Sequence, residues 1–181
     1  FSGEAQSGPM PPYITTYSFY SSKSQIPVFP VSSMTMLGFG EDNLVFFDLE
    51  FSYVSIIGAS ISVFLGIVMT QSGFDKLFNW EGELDFITGK FAKTPLANFS
   101  TFGLIQVTIF EILSGVLSIF GSIMALFYNE YSYAIMGLIL AASSLAILML
   151  GQRISKDYEG AAVLVPYYIL TMFGLFVYTQ F

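Results

Sequence analysis

Hydrophobic positions along this chain fall into four long runs separated by short polar links. The longest, Phe99 to Phe127, reads FSTFGLIQVTIFEILSGVLSIFGSIMALF and holds a single charged residue, Glu111. About 20 apolar residues cross a ~30 Å hydrocarbon layer at 1.5 Å per residue, so this run can cross with some tilt. The pattern predicts membrane-spanning helices over about 54–73, 101–127, 131–150 and 161–178. Asn129 and Glu130 leave a very short turn between the second and third spans, which makes them antiparallel neighbours. Pro166 falls near the start of the fourth span, where a missing donor costs little.

Small residues recur at helical spacing within these runs. Gly58, Ser62, Gly66 and Thr70 follow one another every four residues and share one face of the first span. On the second, Glu111, Gly115, Ser118 and Ser122 line one face at i, i+4, i+7 and i+11. Such stripes let helices approach closely in lipid. Gly137 and the run Ala141–Ser144 give the third span the same character. The fold class predicted is an all-α membrane protein, a four-helix transmembrane bundle occupying residues 51–181, with Glu111 near mid-depth and facing the bundle.

The flanks have a different pattern. Residues 1–50 hold Pro9, Pro11, Pro12, Pro27 and Pro30 among many serines and threonines, which predicts an extended arm. Its aromatics, Tyr13, Tyr17, Phe19, Tyr20 and Phe29, need a surface, either a partner protein or the lipid interface; the plain alternative is a loose tail. Leu44–Phe51 reads as an interfacial lead-in to the first span. Residues 74–100 mix Leu and aromatics with Asp75, Lys76, Glu81, Glu83, Asp85, Lys90 and Lys93, as a headgroup-level segment does, with Trp80 as an anchor. Asp75 and Lys76 read there as interfacial anchors. Phe1 in first place suggests a removed leader or a longer parent product.

Composition narrows the chemistry. Of 181 residues, 54% are apolar and 10% charged, against roughly 25% charged in soluble domains; the class is integral membrane protein. With no Cys and no His, thiolate chemistry, haem ligation by His or Cys, iron–sulfur clusters, common zinc sites and a Ser–His–Asp hydrolase are all removed. No metal site and no catalytic residue is assigned. A net charge of −7 argues against nucleic acid as a partner. Lys76, Lys90, Lys93, Arg153 and Lys156 lie in the links after the first and third spans, and the link after the second has no basic residue. The positive-inside rule places those two basic links in the cytoplasm or its equivalent, with the arm and Phe181 outside.

QSGFDKLFNW (Gln71–Trp80) after the first span and FEILSGVLSIFG (Phe110–Gly121) in the second resemble the DoxX family of small four-span membrane proteins. Its members pair a Gly-x-x-Lys at the end of helix one, here Gly73 and Lys76, with a Glu-x-x-x-Gly in helix two, here Glu111 and Gly115. FAKTPL (Phe91–Leu96) and GQRISKDYEGAAVLVPYYIL (Gly151–Leu170) resemble the version found in Bacteroidetes-type bacteria, and the likeness covers about 54–178. It implies a bacterial inner membrane and a helper role beside quinone-coupled sulfur oxidation, terminal oxidases or oxidative-stress complexes. The arm at 1–50 departs from the family pattern and points to a specialised partner contact.

Three readings of Glu111 follow. It glues helices together as a protonated or hydrogen-bonded carboxyl; it pairs with Lys76 or Arg153; or it serves as a proton relay or quinone contact. The other three spans, bounded as above, contain no ionisable Asp, Glu, Lys or Arg, so a proton path lacks stepping stones. Gln106, Gln152 and Arg153 read as packed or solvated polar groups, with a headgroup contact as the alternative. The function expected is an accessory, non-catalytic subunit of a larger membrane complex, energy-transducing or redox, with other membrane subunits and lipid as partners. The alternative is a quinone-binding subunit whose redox centres sit on a partner chain, and small-solute transport is weaker, since no span looks broken and no inverted repeat is evident.

Overall fold

A computed structural model describes residues 38–39, 43–46 and 49–180. Tyr13, Tyr17, Phe19, Tyr20 and the rest of the expected aromatic arm up to residue 37 lie outside the described residues.

Three short strands come first: β1 (Gly38–Phe39), β2 (Asn43–Phe46) and β3 (Leu49–Ser52). They form an antiparallel meander in which Leu44 stands opposite Phe51 and Val45 opposite Glu50. An interfacial lead-in was expected over 44–51. A short apolar run carries no period that separates strand from helix, and pairing with a neighbouring strand decides it here. Phe51 then meets Phe127 edge-on, with ring centroids 5.9 Å apart, which seats β3 at one end of the bundle.

The helices are α1 (Tyr53–Phe78), α2 (Trp80–Phe91), α3 (Ser100–Tyr128), α4 (Ser132–Ile154) and α5 (Tyr158–Tyr178), with a 3₁₀ turn over Ala97–Phe99. All but α2 are apolar and long enough to cross a bilayer. Even α5, with 21 residues, spans about 32 Å at 1.5 Å per residue. The chain is an integral membrane protein with four transmembrane helices. In cross-section α1 packs on α3, α3 on α4, α4 on α5, and α5 back on α1, which closes the ring. Ile57, Phe64, Ile67, Ile109, Val116 and Ile123 are exposed on its outer faces, where lipid tails supply the apolar solvent.

Helix ends follow local chemistry. The α3–α4 turn forms because Asn129 adopts the left-handed conformation (φ 52°), which Asn tolerates, and Glu130 N–H donates to the Met124 carbonyl at 3.2 Å. Asp157 caps α5 by accepting from Gly160 N–H at 2.9 Å. That cap starts α5 at Tyr158, three residues before the predicted span. At the other extreme α1 continues five residues past the predicted end at 73, because Phe74–Phe78 contains no helix breaker.

Close packing of α1 on α3 depends on glycine. A Cβ on Gly66 would lie 3.1 Å from the Gly115 carbonyl oxygen, and one on Gly115 would lie 2.9 Å from the Gly66 carbonyl oxygen and 2.7 Å from Thr70 N. The α3–α4 contact is alike, since a Cβ on Gly137 would sit 2.6 Å from Ser118 N. Gly103 faces open space instead. Gly115→Val is therefore expected to lower stability by about 1–3 kcal/mol through overpacking, and Gly103→Leu by less than about 0.5 kcal/mol. Thermal unfolding of both variants in detergent checks the contrast, and equal melting temperatures would contradict it.

Candidate functional site

Glu111 projects from the middle of α3 and is 1% exposed. An isolated carboxylate cannot stay ionised there without compensation, and α1 supplies it. Lys76 Nζ lies 2.9 Å from Glu111 Oε2 and 3.2 Å from Oε1. The same ammonium donates to Ser72 Oγ at 2.8 Å and approaches the Ser72 carbonyl at 3.3 Å. Ser72 Oγ in turn donates to Glu111 Oε1 at 3.2 Å. Charge-assisted bonds thus close a triangle of Lys76, Ser72 and Glu111 across the α1–α3 interface.

Backbone proximity makes the triangle reachable. A Cβ on Gly73 would lie 3.2 Å from Ile112 N and 3.4 Å from the Glu111 Cβ. With no side chain at 73, α1 passes directly over the base of Glu111, and the lysine three residues on reaches inward. Gly73, Lys76, Glu111 and Gly115 all belong to this one interface. Lys76 is 14% exposed, so it is not the interfacial anchor that its polar neighbours suggested. The physical reason is the longer α1, which places Ser72 and Lys76 one turn apart on the same face.

Arg153, the other candidate partner, is elsewhere. It is exposed in the last turn of α4, with its guanidinium over the Tyr158 ring at 5.0 Å. The small residues divide between two helix partners. Gly66, Gly115 and Ser118 carry backbone contacts as described, whereas Gly58 and Ser62 receive Tyr178 from α5. The tyrosine ring covers Gly58, and Ser62 Oγ lies 3.0 Å from its hydroxyl. Ser55 meets Tyr131 OH at 3.3 Å nearby, and the two tyrosine rings are 5.7 Å apart. Some buried hydroxyls return to their own helix, Ser114 to the Glu111 carbonyl at 3.0 Å and Thr171 to the Tyr167 carbonyl at 2.8 Å, whereas those of Ser118 and Ser144 have no partner among the described residues.

Beside the charged triangle is a cavity of about 430 Å³ between α2, α3 and α4. Phe86, Phe91, Phe99, Phe102, Leu104 and Ile147 give it an apolar wall, and Lys76, Glu83, Lys90 and Gln152 border it. Lys90 Nζ is 2.6 Å from Asp157 Oδ2, which ties α2 to the α4–α5 link. That ammonium holds the Asp157 carboxyl below the usual aspartate range, helped by the Gly160 N–H. The Asp157 carboxylate is therefore ionised at neutral pH. Sequence reasoning missed Ser72, the cavity and the Lys90–Asp157 tie. Ser72 was legible as the residue four before Lys76, once α1 is carried beyond Gly73; the other two arise from tertiary contacts.

Breaking a buried pair costs most when it strands a charge. Lys76→Met is expected to destabilise the bundle by about 3–5 kcal/mol, and Glu111→Gln, which keeps a hydrogen-bond acceptor, by about 1–3 kcal/mol. The double variant is expected to be more stable than Lys76→Met alone. A double-mutant cycle in detergent measures the coupling; no coupling would remove the pair from the fold's stability.

No family model matches the chain, and comparison with curated proteins and with solved structures gave no match either.

Proposed function

We propose that this chain is an accessory, non-catalytic subunit of a larger membrane complex of the energy-transducing or redox kind. The observation that carries the reading is the closed triangle of Lys76, Ser72 and Glu111, in which each polar group spends its bonds on the other two. A relay needs a next station. Among the described residues no further carboxylate or cation lies in α4 before Arg153 or in α5 after Glu159. The buried charge then works as a staple between α1 and α3, and the outer faces stay available to other membrane subunits and to lipid. The likeness to the DoxX family of Bacteroidetes-type bacteria supports the same helper role in a bacterial inner membrane.

A specific observation favours a second reading. Lys76 borders the apolar cavity and is paired with Glu111, which does not line it. A quinone ring fits such a place, its carbonyl accepting from the ammonium, with redox centres on a partner chain. The two readings separate on Glu111→Gln in the native host. Loss of quinone-linked turnover in an intact complex supports the second. Unchanged turnover, with the chain still migrating in a large assembly on native gels, supports the first. A monodisperse monomer in mild detergent, with no co-purifying subunit, would remove the basis of the first.

Topology follows from charge in the same proposal. The basic links holding Lys90 and Lys93, and Arg153 and Lys156, face the cytoplasm, and the Asn129–Glu130 turn, the arm and the C-terminus face outward. The chain has no native Cys, so single cysteines report cleanly. Lys93→Cys is expected to resist an impermeant maleimide added to intact cells, and Glu130→Cys to react. The reverse pattern would invert the topology.

A further inference from the structure

A second hollow adjoins the apolar cavity. It is a cleft of about 590 Å³ between the connector after α2 and the end of α4, lined by Lys90, Lys93, Thr94, Ser155 and Lys156 among others. Three of the six basic residues of the whole chain border it. Lys90 is part-neutralised by Asp157, but Lys93 and Lys156 are exposed and have no carboxylate within 4 Å among the described residues. Lys156 is held in the left-handed region at φ 62°, a conformation that a lysine rarely takes. Local charge is therefore positive in a chain whose net charge is −7.

The two hollows differ in character and share a wall at Lys90. Their order along the helices is fixed by their linings. The basic cleft is bordered by Pro95 and by Ile154–Lys156, at the outer ends of the connector and α4. The apolar cavity runs inward, from Phe99 and Gln152 to Val107 and Ile147. Along α3, from Ser100 to Val107, that is roughly 10 Å at 1.5 Å per residue. A cation-rich mouth above an apolar channel complements a molecule with an anionic head and a hydrocarbon tail.

We infer that the paired hollows bind one anionic phospholipid of the surrounding leaflet, its phosphate in the Lys93–Lys156 cleft and one acyl chain in the apolar cavity. Basic pockets at the ends of transmembrane helices take lipid headgroups by this combination of charge and depth. Lys90 stands at the junction, where its tie to Asp157 keeps α2 over the cavity as a roof. Gly103 borders the cavity and faces open space, so the tail has room beside α3. The inference is independent of the accessory-subunit reading, since it concerns a lipid and not a protein partner.

Native mass spectrometry of the full chain, released from nanodiscs of equal phosphatidylglycerol and phosphatidylcholine, tests it. Phosphatidylglycerol is expected to be retained over phosphatidylcholine by roughly tenfold or more, as two unpaired lysines near an anionic head imply. In Lys93→Gln/Lys156→Gln the ratio should fall to about one, with an unchanged melting temperature because both side chains are exposed. Gly103→Phe, which fills the tail cavity, should reduce the lipid retained while leaving the fold intact. Millimolar inorganic phosphate should not displace the lipid, because a free anion lacks the tail. Equal retention of the two lipids, a parent-like ratio in the double variant, undiminished lipid in Gly103→Phe, or displacement by phosphate would each overturn the inference.

Discussion

An ionised carboxylate in the middle of a membrane helix persists only if the fold brings it compensating charge and hydrogen bonds. Everything at the α1–α3 interface serves that requirement. The glycines at 66, 73 and 115 set the helix separation, and separation sets whether a lysine tethered to α1 can touch Glu111 at 2.9 Å. A side chain at 73 would lift α1 off the base of Glu111 and strand the acid in apolar surroundings. Packing and electrostatics are thus one constraint here: the small-residue stripe is what makes the ion pair affordable.

The position of the pair along the helices matters as much as its chemistry. Lys76 comes in the last turn of α1, next to α2, and it keeps 14% of its side chain exposed. A lysine is most easily accommodated there, because its stem can lie along apolar surface while its head stays close to the polar zone. Glu111 has no such route, being 1% exposed. The buried partner is therefore the short acid and the reaching partner is the long base, the arrangement with the smaller desolvation cost.

Much of this was legible in the sequence, and the residues show where legibility stopped. Run length and hydropathy placed four spans within a few residues, because a bilayer imposes its thickness on any chain that crosses it. The stripe containing Glu111 and Gly115 pointed to a face turned toward the bundle, and Glu111 is buried in it. The end of the first span was less legible. Asp75 and Lys76 look like the start of a polar link, yet backbone hydrogen bonding carries the helix to Phe78, and only then do Ser72 and Lys76 share a face with Glu111. Gly58 and Ser62 were read as a helix-contact face, but no local pattern could say that an aromatic from the far end of the chain, Tyr178, would fill the space over them. Strand pairing before α1 was illegible for a similar reason: four-residue apolar segments acquire their identity only from a neighbour.

The two ends of the bundle solve the same problem with different chemistry. Toward the sheet, neutral hydroxyls join α1 to α5 through Ser62 and Tyr178, and to the start of α4 through Ser55 and Tyr131. Toward α2, α1 and α3 are joined by the Lys76–Glu111 pair. Neutral hydroxyl pairs cost little to bury and contribute little beyond geometry, on the order of 1 kcal/mol each. A charged pair is costly to bury and more costly to break, so it permits little sliding or rotation at that contact. The charged end is also where α2, the apolar cavity and the basic cleft converge. A surface that must hold its shape against a mobile lipid environment is better built on the rigid end than on the soft one, and the glycine-backed ion pair supplies that rigidity.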